Sequence, residues 1–297
     1  MNIANDITER VGKTPLVRLH HVGIRGGAEV LAKLESLNPT GSVKDRVAVA
    51  ILDAAESGGH CVSGVTTIVE ASLGDTGESL AMVCAVRDYR LVVCVPDSVD
   101  STRIDILKRY GAEVELTDGA LGVAGANARA QEIADGVGEF FWINQFGNPV
   151  NPTIHYLTTA EEIWRDCDGG VDILVAGVGT GGTVTGVGKR LKELKEDVVV
   201  VAVEPKDCAV LSGISNAEHD LTGIGAGFVG DNYNSTFVDA VMSVESESAH
   251  ELVEIMALKE GIRVGSSAGA ALAAARELSG RPENIGKTIV VVVPSFA

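Results

Sequence analysis

Short runs rich in Val and Ile alternate with longer Ala- and Leu-rich stretches along the chain, which is the pattern of βαβ units. The strands read as Thr67–Glu70, Arg90–Val95, Glu113–Leu116, Ile173–Ala176, Val198–Val203 and Thr288–Val293. Helical stretches fall between them at Gly77–Arg87, Thr102–Tyr110, Ala124–Asp135, Thr158–Cys167, Thr183–Leu194 and Ala249–Lys259. Several of the strands are continuously apolar, as a parallel sheet covered on both faces requires. The pattern predicts an α/β protein of mostly parallel sheets flanked by helices. A length of 297 residues favours about two domains. A boundary fits best around Gln145–Pro152, where prolines, glycine and asparagines break regular structure. No repeat, low-complexity tract or Gly/Ser linker separates the halves.

Composition narrows the function. Hydrophobic residues make up 45% and aromatics only 4%, with 35 glycines, which suits a Val-, Ala- and Gly-rich α/β core. The net charge of −17 disfavours nucleic acid and anionic membranes as partners; it supports solubility and fits a saline habitat. The longest apolar run, Ile289 to Val293, is too short to cross a bilayer. Met1 to Arg10 is polar and lacks the apolar stretch of a signal peptide, so the cytoplasm is the expected compartment. The five cysteines, Cys61, Cys84, Cys94, Cys167 and Cys208, are scattered without a Cys-x-x-Cys pair and read as buried reduced thiols. The six histidines show no metal-ligand spacing, and no metal is expected; His20, His21 and His155 read as surface or hydrogen-bonded residues.

Four segments carry candidate chemistry. In Asn38-Pro39-Thr40-Gly41-Ser42-Val43-Lys44-Asp45-Arg46, turn residues precede Ser42, a good N-cap, with Asp45 completing a short-armed capping box. Val43, Val47, Ala48, Ile51, Leu52 and Ala55 then follow helical spacing, which places Lys44 in a first helical turn. There the helix dipole opposes its charge, and burial would lower its pKa toward a usable amine. Such a lysine suits a Schiff base; a solvated surface lysine is the alternative. The second segment, Gly177-Val178-Gly179-Thr180-Gly181-Gly182-Thr183, joins a strand to a helix and would present backbone N–H groups and threonine hydroxyls to a phosphate. It also fits Gly-x-Gly-x-x-Gly, with Glu204 placed where a ribose-binding acid would stand, so a dinucleotide site is a rival reading. The third, Glu70-Ala71-Ser72-Leu73-Gly74-Asp75-Thr76-Gly77, could hold a carboxylate on its N–H groups. The fourth, Gly265-Ser266-Ser267-Ala268-Gly269-Ala270, opens an Ala-rich helix and reads equally as close helix packing or as a site.

Together these segments resemble the cysteine synthase (O-acetylserine sulfhydrylase) family of pyridoxal-phosphate enzymes. The likeness runs through nearly the whole chain. It begins at Val11-Gly12-Lys13-Thr14-Pro15-Leu16-Val17-Arg18-Leu19 and passes through Asn38–Arg46, Gln145-Phe146-Gly147-Asn148-Pro149 with Asn151-Pro152, and His155-Tyr156 with Thr158-Thr159. It continues in Gly179–Thr183, Val203-Glu204-Pro205, Gly223-Ile224-Gly225-Ala226-Gly227-Phe228 and the Ser267 loop.

The resemblance implies the two-domain pyridoxal-phosphate fold type II (tryptophan synthase β-like). By its pattern, residues 1–38 with 146–297 form a larger phosphate-binding domain, and 39–145 a smaller mobile domain that closes over substrate. It implies that Lys44 forms the Schiff base with pyridoxal 5'-phosphate and moves protons at the substrate Cα. Gly179, Thr180, Gly181, Gly182 and Thr183 would hold the phosphate, and Ser267 would hydrogen-bond the pyridine nitrogen. That neutral partner leaves the ring a weaker electron sink, which suits β-elimination over transamination. Asp75 would face the ring, and Ser72, Leu73, Gly74, Thr76, Gln145 and Gly225 would meet the substrate. The implied reaction is β-replacement on O-acetyl-L-serine by sulfide, giving L-cysteine and acetate, in a homodimer.

The chain also departs from the family pattern. Where the family loop usually reads Thr-Ser-Gly-Asn-Thr-Gly, this chain has Ser72-Leu73-Gly74-Asp75-Thr76-Gly77. Leu73 removes a hydroxyl donor to the substrate carboxylate. An ionised Asp75 can only accept where the asparagine donates to the cofactor's phenolate oxygen, which implies a raised Asp75 pKa or an altered Schiff base. Ala268, where the family usually has serine, is shared with cystathionine β-synthase. The family continues past the final strand, whereas this sequence reaches Pro294-Ser295-Phe296-Ala297, so a site wall or dimer contact is expected to differ. Altered substrate choice or reduced turnover is therefore expected. The alternatives are cystathionine, β-cyanoalanine or diaminopropionate formation from serine or O-phosphoserine, or a weakly active homologue with a regulatory role.

Overall fold

The structure, a computed structural model, describes residues 3–296. In chain order the first half holds β1 (Leu16–Leu19), β2 (Glu29–Leu34), α1 (Lys44–Ser57), β3 (Thr67–Ala71), α2 (Asp75–Arg87), β4 (Arg90–Pro96), α3 (Ser101–Arg109), β5 (Glu113–Thr117), α4 (Gly122–Ala134) and β6 (Phe140–Trp142). The second half holds α5 (Val150–Ile154), α6 (Ala160–Asp166), β7 (Ile173–Gly177), α7 (Gly182–Leu194), β8 (Val199–Pro205), β9 (Ala240–Val244), α8 (Ser246–Ile255), α9 (Ser266–Ser279) and β10 (Thr288–Val293). The chain forms two compact units, Met1–Val11 with Lys44–Val150, and Gly12–Val43 with Asn151–Ala297. The breaks fall at 43/44 and 150/151, where the resemblance implies 38/39 and 145/146; the second lies within the Gln145–Pro152 stretch expected from the sequence, and residues 3–11 go with the Lys44 unit.

In the Lys44 unit, four parallel strands run in the order β5-β4-β3-β6. The central strand β3 is buried at every position, which explains its unbroken apolar reading up to Glu70. The edge strand β5 is only partly buried and carries Glu113 and Glu115, charges that blunt an exposed edge. On one side Val69, Ala71 and Cys94 pack with Ala126 and Ala130 of α4. On α1, Val47, Ala48, Ile51, Leu52 and Ala55 are buried, the helical stripe expected of the sequence.

The other unit holds a six-stranded sheet in the order β1-β2-β10-β7-β8-β9. All its pairings are parallel except the β1–β2 hairpin. Strand β10, Thr288 followed by Ile289 and four valines, lies between β2 and β7 and is buried from Ile289 onward. Alanines on α9 let that helix lie close to the sheet and to α8: Ala268, Ala270, Ala271, Ala274 and Ala275 are all buried. The β1–β2 hairpin, β6 and β9 are elements that the apolar pattern did not mark. Two expected helices also take a different form. His155–Thr159 is a π-helical turn between α5 and α6, and Met256–Glu260 is another after α8.

No described helix is long and apolar enough to cross a membrane. The five cysteines are free thiols; Cys61, Cys84, Cys94 and Cys208 are buried and Cys167 is half-buried. Among the described residues no group of His, Cys, Asp and Glu has a metal-binding arrangement. Ala297 lies outside the described residues.

Candidate active site

The Lys44 unit brings most of the expected substrate residues together. Lys44 is the first residue of α1, as its sequence context predicts. Loss of hydration lowers the pKa of its ammonium, while the negative charge of Asp75 pulls it back up. Beside it, Asp45 is buried and accepts a hydrogen bond from Ser79 Oγ at 2.6 Å. The loop after β3 is tied from several sides. Thr76 Oγ1 donates to Gln145 Oε1 at 2.6 Å, and Gln145 Nε2 donates to the Ala71 carbonyl at 2.9 Å. Glu70, wholly buried, accepts from the backbone N–H groups of Ala71 and Gln145 at 2.9 and 3.2 Å. Burial pushes its carboxyl up to about 8, so near neutral pH it is mostly protonated.

The hydroxyl of Ser72 is spent on the loop itself. It accepts from Gly74 N at 3.1 Å and Gly77 N at 2.8 Å and donates to the Gly74 carbonyl at 3.1 Å. One donor and two acceptor positions are all that a serine hydroxyl has. Leu73 is 39% exposed and offers no polar atom. Asp75 opens α2 and accepts from Arg103 Nη1 at 3.3 Å. Arg103 was not among the expected site residues.

The other unit holds the glycine loop and Ser267. Gly181, at φ +83°, caps α7, and a Cβ there would stand 2.6–2.8 Å from Tyr233. A Cβ on Gly182 would meet Asn151 Oδ1 at 1.9 Å. Only glycine fits either place, so the backbone can fold tightly into the start of the helix. Thr180 Oγ1 accepts from Asn151 Nδ2 at 3.0 Å, which leaves the hydroxyl proton to donate elsewhere. Thr183 Oγ1 lies 3.3 Å from His155 Nε2, and His155 Nδ1 lies 3.0 Å from Thr159 Oγ1. The π-helical turn thus sets a buried histidine behind a loop hydroxyl. Ser267 is buried in the first turn of α9, 3.4 Å from where a Cβ on Gly223 would be. Gly225, at φ +66°, donates its N–H to Val178 O at 3.1 Å and accepts from His219 at 2.8 Å.

The segment leading into Lys44 is fixed within this unit. Ser42 bridges to Ser295, Val43 N donates to Pro294 O at 2.8 Å, and the Phe296 ring occupies the space a side chain on Gly41 would need. Glu204 does not stand free for a ribose. It is buried and accepts from Leu211 N, Ser212 Oγ and Ser243 Oγ, at 2.8, 2.5 and 3.3 Å. With its carboxylate satisfied by the chain itself, the dinucleotide reading loses its ribose-binding group.

Comparison with known proteins gives the family. The family model described as pyridoxal-phosphate dependent enzyme matches residues 7–295. The chain belongs to this family, in its cysteine synthase branch. It is 42% identical over 292 residues to a cysteine synthase of Staphylococcus aureus, covering 98% of this chain and 93% of that protein. Cysteine synthase 3 of Caenorhabditis elegans is 40% identical over 295 residues, covering 99% of this chain and 88% of the relative. The crystal structure of cysteine synthase from Entamoeba histolytica superposes with a TM-score of 0.95 at 42% identity, covering all of this chain and 88% of that one. The protein is thus a pyridoxal-phosphate-dependent enzyme of fold type II.

The residues present fit that cofactor. The first turn of α7 carries no acidic side chain and presents helix N-terminal N–H groups with two threonine hydroxyls, a donor set suited to a phosphate dianion. Lys44 is a lysine whose pKa is lowered by burial, which favours the neutral amine that condenses with an aldehyde.

Proposed function

We propose that the protein catalyses β-replacement on O-acetyl-L-serine with sulfide, releasing acetate and forming L-cysteine. The observation that carries this reading is Lys44, partly stripped of hydration at the start of α1, in a chain whose relatives are cysteine synthases. When bound, pyridoxal phosphate supplies an electron sink that acidifies the substrate's Cα–H bond and lets a β-substituent leave. Lys44 would hold the cofactor and then take and return the proton at Cα. Its lowered pKa favours the neutral amine that this needs. Gly179, Thr180, Gly181, Gly182 and Thr183 would bind the phosphate, and Ser267 would hydrogen-bond the ring nitrogen without protonating it. Asp75 would lie beside the ring. Ser72, Gly74, Thr76 and Gln145 would shape the pocket for the substrate carboxylate, with Leu73 at its rim and Gly225 lining the leaving-group side. The same reading takes the protein to be a cytoplasmic homodimer in which the smaller domain closes to exclude water from the reacting substrate.

A second reading keeps the chemistry and changes the substrates. With the Ser72 hydroxyl engaged by its own loop and Leu73 apolar, the loop has fewer side-chain donors for an α-carboxylate than the family pattern provides. A related β-replacement on serine or O-phosphoserine, giving cystathionine, β-cyanoalanine or diaminopropionate, is the alternative. One experiment separates them. The pyridoxal-phosphate-loaded protein is given O-acetylserine, O-phosphoserine or serine with sulfide, and product is quantified against a Lys44→Ala control. Cysteine formed fastest from O-acetylserine, and lost in the control, supports the first reading. A preference for another donor moves the assignment to the second, and equal product in the control removes Lys44 from both.

A further inference from the structure

Asp75, the first residue of α2, stands among several other acids. It stands in the electrostatic field of Lys44, and Glu78 one turn along α2 is a second acid, its pKa raised by burial and then by Asp75. Asp45 of α1 adds a third carboxylate to the same field, and Tyr110, just after α3, is raised by burial and by Glu78 and Asp45. Lys44 from α1 and Arg103 from α3 are cations in the same field. Lys44 gives up its charge whenever it acts as an amine. Arg103 stays charged at any working pH.

Arg103 is also placed to act on Asp75. Its Nη1 lies 3.3 Å from Asp75 Oδ1, with the two side chains 27% and 30% exposed. The guanidinium crosses over Gly74, where a Cβ would stand 2.6 Å from Nη1, so the absence of a side chain at 74 gives it passage. The helix that carries it is anchored at its start by Asp100, whose Oδ1 accepts from Thr102 N at 2.8 Å.

We propose that Arg103 is a positioning residue for Asp75: it supplies the counter-charge that lets a carboxylate stand beside Lys44, and it draws that carboxylate toward α3. This rests on the reading of Lys44 as the lysine that holds pyridoxal phosphate. As a structural staple, a partly exposed ion pair of this kind contributes little to folding. Its effect is instead on Lys44. Without the Arg103 guanidinium, Asp75 raises the lysine pKa further, lowers the fraction of neutral amine, and adds to the negative charge met by an anionic cofactor.

The test is a double-mutant cycle read by equilibrium titration of the apoprotein with pyridoxal phosphate, following the visible band of the lysine-bound cofactor at fixed pH and salt. Arg103→Met is expected to weaken binding about three- to tenfold, the effect of half to one pKa unit on the amine. Asp75→Asn is expected to bind at least as tightly as the unaltered protein. Adding Arg103→Met to Asp75→Asn is expected to cost less than about twofold, since the charge to be compensated has gone. Arg103→Gln, which keeps a donor and removes the charge, is expected to repeat the Asp75-dependent loss and serves if the methionine variant does not fold. An equal loss in both backgrounds overturns the proposal, and so does no loss in either. Lys44→Ala separates the two possible failures. Survival of the band in that variant overturns the reading of Lys44 and this proposal with it. Loss of the band there, combined with an Asp75-independent Arg103 effect, overturns the proposal alone.

Discussion

The loops that open α2 and α7 are both strand-to-helix turns, and they prepare their helix ends for anions in opposite ways. In the α7 loop Gly182 N reaches Thr180 Oγ1 at a long 3.5 Å, the first turn carries no acid, and the two threonine hydroxyls are braced from behind by Asn151 and His155. The α2 loop consumes its donors. The N–H groups of Gly74 and Gly77 go to Ser72 Oγ, and the helix start already carries the acids Asp75 and Glu78. A helix N-terminus favours one negative group in its first turn. In α7 the chain leaves that place open, whereas in α2 it fills the place with its own side chains. A substrate carboxylate bound at α2, as proposed above, would compete with Asp75, and the proposed role of Arg103 is to temper that competition.

The largest effect expected from this contrast is at Gly181. An alanine there faces both a left-handed φ and backbone atoms of Tyr233 that cannot move aside. Gly181→Ala should cost about 2–3 kcal/mol of stability and weaken pyridoxal phosphate binding more than tenfold. At Gly74 the backbone is extended (φ 177°) and a new Cβ meets only the movable end of Arg103. Gly74→Ala should cost about 1 kcal/mol or less. Thermal melts of both apoproteins check the difference, and equal losses would remove the distinction between a rigid cradle and an adaptable loop.

A second difference lies beneath the α2 loop, at Glu70. Its carboxyl is raised from 4.5 to about 8 by burial, so the folded state holds a proton that the unfolded chain gives up at lower pH. Stability from this group is complete below about pH 4.5, falls as pH rises, and is exhausted above about pH 8. The total is on the order of a few kcal/mol. Glu70→Gln, which is neutral throughout, should flatten the pH dependence in that window. Urea melts at pH 5 and pH 8 measure it; parallel slopes for the two proteins would show that Glu70 does not titrate there.

The Ser72 hydroxyl gives a smaller effect. Ser72→Ala removes the acceptor for two N–H groups at the start of α2 and should cost about 1 kcal/mol, in the range of an N-cap loss. Ser72→Thr keeps the hydroxyl and should recover most of it. Denaturant midpoints of the two variants decide whether the hydroxyl belongs to the fold or to the substrate.

How much of this was legible in the sequence follows from where each residue finds its partner. Strand β10 matches its apolar run residue for residue, because a strand buried on both faces writes its burial into its own composition. Strand β2 does not, because Lys33 breaks the apolar pattern. That lysine is wholly buried and neutralised by Glu162 at 2.8 Å and Asp166 at 3.6 Å, partners contributed by α6 far along the chain. Strand β6 is only three residues long and is held by its neighbour β3. The same division runs through the site. The α7 loop is readable because its work is done by backbone, and glycine spacing marks where backbone must turn tightly. The exchange of asparagine for Asp75 could be seen by resemblance, and the loss of a hydroxyl at Leu73 likewise. The partner of Asp75 could not, since Arg103 reaches it from another helix. Nor could the direction of the Ser72 hydroxyl, which depends on the turn it closes.

The smallest effect expected is also the one that restores something. Leu73 is 39% exposed, so exchanging it for a polar residue of smaller size should leave the fold intact. Leu73→Ser returns a hydroxyl donor beside the N–H groups of the loop. If the α2 loop binds the substrate carboxylate with too few donors, the variant should lower KM for O-acetylserine about three- to tenfold, the net value of one ordinary hydrogen bond made in exchange for one to water. Pyridoxal phosphate affinity should stay within about twofold, because the α7 loop is untouched. Steady-state kinetics with O-acetylserine beside a cofactor titration gives both numbers. An unchanged KM with unchanged cofactor affinity would mean that the carboxylate is held elsewhere, and that Leu73 shapes the choice of β-substituent rather than the grip on the amino acid.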